Sequence, residues 1–90
     1  MDGAKFKNKK LVVITGTSSG LGRKTAAALL RSGEYHVIGG VRDLDKMATV
    51  AKIEGFDMEN FTPMKLDLAS FKSVHNFVGE LEKFRGDKAI

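Results

Sequence analysis

Apolar positions along this chain switch between two spacings. Leu11 to Ile14 reads LVVI, Tyr35 to Val41 reads YHVIGGV and Phe61 to Leu66 reads FTPMKL. Short β-branched and aromatic runs predict strands, and an unbroken apolar run predicts one covered on both faces of a parallel sheet. Between these runs the spacing becomes helical. Thr25 to Leu30 is rich in helix formers and stops at Gly33, placed as a left-handed C-cap. Leu44 to Lys52 sets Met47, Val50 and Ala51 on an inner face, with Asp43 as N-cap and Gly55 as stop. From near Ser70, the residues Val74, Phe77, Val78, Leu81 and Phe84 form an amphipathic stripe ending at Gly86. Strand and helix therefore alternate three times, which predicts an α/β chain with a parallel sheet. Pro63 cannot donate to a ladder, so the third strand is expected to lie at a sheet edge or to carry a break at its start.

The join between the first strand and the first helix carries the chemistry. Thr15 to Gly22 reads TGTSSGLG, a loop of small residues. A helix start leaves amides unpaired, and the macrodipole adds partial positive charge there. Phosphate oxygens take such donors where the backbone comes close. Gly16, Gly20 and Gly22 permit the turn and the approach. Thr17, Ser18 and Ser19 offer hydroxyls, and Leu21 offers its amide. The loop is read as a pyrophosphate cradle. A nucleotide-triphosphate loop would need G-x-x-x-x-G-K-[ST]. Five on from Gly16 stands Leu21, and Arg23 precedes Lys24, so that pattern fails twice. A strand, this loop and a helix together indicate a Rossmann-type three-layer doubly wound parallel sheet, in strand order 3-2-1-4 and truncated after the third βα unit.

Arg42 stands where the second strand ends, the position that faces the adenosine ribose in such a sheet. An arginine there pairs with a 2′-phosphate or stacks on adenine, and Lys46 lies one helical turn further on. This favours NADPH. The alternative is a solvated pair of cations matched by Asp43 and Asp45, and Asp43 keeps an NAD reading open. Asp67 and Leu68 follow the third strand. Asp67 is placed to accept from the adenine amino group beside Leu68, or to cap the next helix. Gly39 and Gly40 weaken the second strand; they either leave room for something to approach the backbone or mark close helix–sheet packing. His36 is read as a packed strand residue.

Composition narrows the field. Ninety residues make one small domain at most: residues 1–9 as a flexible segment and residues 10–90 as the nucleotide-binding part. Hydrophobic residues at 42% and charged residues at 29% fit a globular chain, and no run is long enough for a membrane span. With no cysteine and two histidines, neither a disulfide framework nor a metal site is expected. The net charge of +4 gathers early, at Lys5, Lys7, Lys9, Lys10, Arg23 and Lys24. It is read first as a solubilising tail and second as drawing in an anionic cofactor, and not as a nucleic-acid site, since no aromatics interleave it. The first ten residues lack a signal-peptide core.

The assembled motifs resemble the short-chain dehydrogenase/reductases over residues 10–90. Within that family they are most similar to the light-dependent protochlorophyllide oxidoreductases. The likeness rests on VVITGTSSGLG at 12–22, YHVI at 35–38, VRDLDK at 41–46 and LDLASFKSV at 66–74. It implies an N-terminal, NADPH-binding part of an enzyme that passes hydride to a tetrapyrrole double bond under light. A plastid location follows, with membrane-surface association of the full-length protein left open. Another reductase of the family, acting on retinol or a carbonyl, and a non-catalytic nucleotide-binding module are the alternatives. The family's Tyr-x-x-x-Lys pair is absent: the single tyrosine, Tyr35, is followed four residues on by Gly39. No catalytic residue is carried over. The first strand would be left at an open edge, so the 90-residue chain alone is expected to be poorly stable.

Overall fold

A computed structural model describes residues 9–86. The flexible segment expected at the N-terminus lies outside them, apart from Lys9. Six elements follow in order: β1 (Lys10–Thr15), α1 (Gly20–Ser32), β2 (Tyr35–Val41), α2 (Leu44–Glu54), β3 (Phe61–Lys65) and α3 (Phe71–Arg85). The alternation read from the apolar pattern is the alternation observed.

The three strands are parallel and lie in the order β1-β2-β3. β2 is central, which is why every residue from His36 to Val41 is buried. Its side chains alternate between two cores. Val37 and Val41 face α1 and α2, packing with Ala26, Met47, Val50 and Phe61. Ile38 faces α3, packing with Leu11, Leu66 and Phe77. The two cores make the three layers. β3 is the outer strand, as Pro63 predicted. The Asn60 carbonyl and the Leu66 amide bond to β2, so even-numbered β3 residues face inward and Pro63 turns its nitrogen to the open rim.

Helix ends follow their sequence signals. Asp43 caps α2, accepting from the Lys46 amide at 3.0 Å. Ser70 caps α3, accepting from the Ser73 amide at 3.1 Å. Gly33 and Gly55 end α1 and α2 in the left-handed region, at φ 77° and 71°. His36 is a packed strand residue, 2.9 Å from the Thr62 hydroxyl and stacked obliquely near Phe84. One expectation fails in α3: Val78 is 48% exposed. Phe77, Val74, Leu81 and Phe84 already cover the narrow three-stranded sheet, and Val78 lies beyond its reach.

The two glycines of β2 mark close packing. A Cβ on Gly39 would run into the Thr17 hydroxyl and lie 2.9 Å from Phe61 Cζ. A Cβ on Gly40 would lie 2.8 Å from Leu66 Cδ2. Both readings of these glycines find a counterpart: the α3 residue Phe77, with Leu66, packs on Gly40, whereas at Gly39 the loop residue Thr17 approaches the backbone.

Candidate functional site

The carboxyl ends of all three strands open into one cleft of about 580 Å3. This is where an open α/β sheet offers a crevice. Gly16, Ser18 and Ser19 form one wall, Arg42 and Lys46 a second, and Asp67 and Leu68 a third. Residues that sequence reasoning placed in three separate segments thus converge.

The first wall is the start of α1. Ser19 is its N-cap, and no side chain bonds back to cap it. No acid stands in its first turn. The first intrahelical bond runs from the Arg23 amide to the Ser19 carbonyl, so the amides before it keep the unpaired character of a helix start. The other two helices are capped by side chains. Gly16 and Gly20 take φ of 68° and 57°, a conformation that glycine adopts without strain. Gly22 lies flush against β1: a Cβ there would strike the Gly16 carbonyl and come within 3.0 Å of the Thr15 carbonyl oxygen. Gly22 therefore brings the helix onto the strand instead of lining the cleft.

The remaining loop residues divide. Thr17 is wholly buried and its hydroxyl donates to Met47 Sδ at 3.2 Å. The expectation that it offers a hydroxyl to phosphate is corrected: the space left by Gly39 draws the side chain inward. Gly20, Leu21 and Gly22 do not line the cleft, and the Leu21 side chain is 81% exposed. What the loop presents to the cleft is Gly16, Ser18 and the N-cap Ser19.

Electrostatics of the second and third walls depend on how the acids are used. Asp43 spends one carboxylate oxygen on its own helix cap. Asp67 accepts from the Ala69 amide at 3.0 Å, closing a local turn. It is not the cap of α3, a role filled by Ser70. Among the described residues, no ion pair ties Arg42 or Lys46 to a carboxylate. Both are exposed, with their charge available to an anion in the cleft. Arg23, by contrast, pairs with Glu54 at 2.5 Å and does not line the cleft. Thr15, Gly40, Val41, Asp43, Leu66 and Ala69 also line it. They were not assigned as cofactor contacts from the sequence, and the rule that ligands bind beyond strand carboxyl ends is the signal that finds them.

The family model for short chain dehydrogenases matches residues 10–87. The chain belongs to that family. Chloroplastic protochlorophyllide reductase of Pisum sativum is 51% identical over 82 residues, covering 91% of this chain and 21% of that protein. The Cucumis sativus enzyme of the same name is 53% identical over 77 residues, covering 86% of this chain and 19% of that one. This short chain dehydrogenase sequence thus spans about a fifth of the length of these relatives. Among solved structures, an alcohol dehydrogenase from Thermococcus sibiricus complexed with 5-hydroxy-NADP superposes with a TM-score of 0.70 at 30% identity, covering 89% of this chain and 34% of that one. Among the described residues there is no cluster of His, Asp or Glu fit for a metal, and no helix long and apolar enough to cross a membrane.

Proposed function

We propose that this chain is the N-terminal, NADPH-binding portion of a light-dependent protochlorophyllide reductase of plastids. One observation carries the cofactor reading: the N-cap Ser19, whose helix start no side chain caps, shares one cleft at the carboxyl ends of the strands with two cations that have no carboxylate partner among the described residues. The fit is chemical. Ser18 and Ser19, at the N-cap of α1, suit a diphosphate with their amides and hydroxyls. Arg42 and Lys46 suit a 2′-phosphate, and the guanidinium also offers a face to adenine. Asp67 and Leu68 bound the adenine end, one by accepting a hydrogen bond and the other by apolar contact.

When bound, NADPH would supply a hydride for a substrate double bond. The chain's own residues bind and orient it. Tyr35 lies at the start of β2, remote along the strand from the cleft, and packs against the core that α1 and α2 share. We therefore assign no catalytic residue here. The identity to protochlorophyllide reductases supports the tetrapyrrole as substrate and the plastid as location.

The test is a titration of the full-length protein with NADPH and NADH, with and without Arg42→Ala. Loss of a charged hydrogen bond to the 2′-phosphate should weaken NADPH by about 1.5–3 kcal/mol. NADH should barely respond. Equal losses for both dinucleotides would remove the phosphate assignment.

A further inference from the structure

The structure ties the two charged walls of the cleft together from behind. Thr17 belongs to the loop that precedes α1, and Met47 to the first turn of α2. Both side chains are fully buried, and the Thr17 hydroxyl donates to the Met47 thioether at 3.2 Å. The contact sits over Gly39, whose missing side chain makes the space that Thr17 fills. The residues flanking this pair along the chain line the cleft: Gly16 and Ser18 beside Thr17, and Lys46 beside Met47.

Resting on the NADPH reading, we infer that the Thr17–Met47 contact is a positioning device that sets cofactor preference by fixing the distance between the diphosphate loop and the 2′-phosphate cations. A ligand with charge at both ends must satisfy two walls at once. Walls held at one spacing beforehand bind it without a further ordering cost. NADH meets only the helix start with charge, so a looser spacing costs it less. The thioether is a weak acceptor, and a weak bond deep in a packed core still selects one arrangement of loop and helix. Thr17 and Met47 touch neither cofactor nor substrate in this scheme; they act through Ser18 and Lys46.

Four variants of the full-length protein test this: Thr17→Val, Thr17→Ser, Met47→Leu and the double variant Thr17→Val/Met47→Leu. Valine keeps the shape of threonine and removes the donor. Leucine keeps most of the methionine volume and removes the acceptor. The reading is the ratio of the NADH and NADPH dissociation constants, with unfolding by urea followed in parallel. Thr17→Val should lower the ratio by about fivefold, the scale of one buried hydrogen bond. Met47→Leu should lower it similarly, the double variant no further, and Thr17→Ser should preserve it. A ratio that stays constant while stability falls would make the contact structural only and overturn the inference. A wild-type protein that binds NADPH no better than NADH would overturn the cofactor reading itself, and this role for Thr17 with it.

Discussion

The amide of Gly16 donates to the carbonyl of Gly40 at 2.8 Å, carrying the β1–β2 ladder one residue beyond the end of β1. The glycine loop is therefore anchored to β2 at the point where it turns away. From there Gly16 swings into the left-handed region, and α1 returns over β1 with Gly22 against the Gly16 carbonyl. The cradle is backbone fastened to backbone.

Gly22→Ala is expected to damage this arrangement. Its Cβ would lie 2.8 Å from the Gly16 carbonyl carbon, and a backbone group in a ladder has little freedom to yield. Overpacking of this kind costs about 1–3 kcal/mol. Urea unfolding should show the loss, and NADPH affinity should fall with it. A variant of wild-type stability would contradict the packing described.

Gly39→Ala probes the other side of the loop. The new methyl would meet the Thr17 hydroxyl and Phe61 Cζ, the latter at 2.9 Å. Thr17→Ala clears the first obstacle only. The double variant should therefore recover part of the stability lost by Gly39→Ala, a coupling of about 1 kcal/mol between neighbours. Strict additivity would mean that the two residues do not share this space.

Salt separates the two cofactors without any substitution. Arg42 and Lys46 are exposed, and charges at a surface are screened within about 10 Å at 0.1 M salt and about 3 Å at 1 M. The dissociation constant for NADPH should rise with ionic strength more steeply than that for NADH. Parallel slopes would detach the two cations from the 2′-phosphate.

The free side of β1 gives a fourth expectation. Val12, Val13 and Ile14 are only half-buried, and among the described residues β1 pairs with β2 alone. A polypeptide continued past Ile90 through the next strand should cover them. Its stability in urea should exceed that of the 90-residue chain by on the order of 3 kcal/mol, about that of burying one or two aliphatic side chains. No gain would show that β1 needs no further neighbour.

Much of this could be read from the chain because the signals were local. Pro63 announced an outer strand, Asp43 a cap, and Arg42 the end of β2, since each depends on its own backbone and its near neighbours. Thr17 could not be read that way. Its side-chain direction is decided by a missing Cβ at Gly39 and a sulfur on Met47, both far along the sequence. Val78 escaped for a similar reason: helical periodicity gives the face of α3 but not the width of the sheet beneath it. Asp67 was open to a capping role in the sequence, and Ser70 holds that cap.

Pro63 has a bearing on assembly as well as on strand order. Of the backbone nitrogens that β3 turns outward, the middle one carries no hydrogen, so a visiting strand would find its row of partners interrupted. β1 has no such break. Among the described residues, strand addition therefore meets less obstruction along β1 than along β3, and unwanted self-association is favoured there.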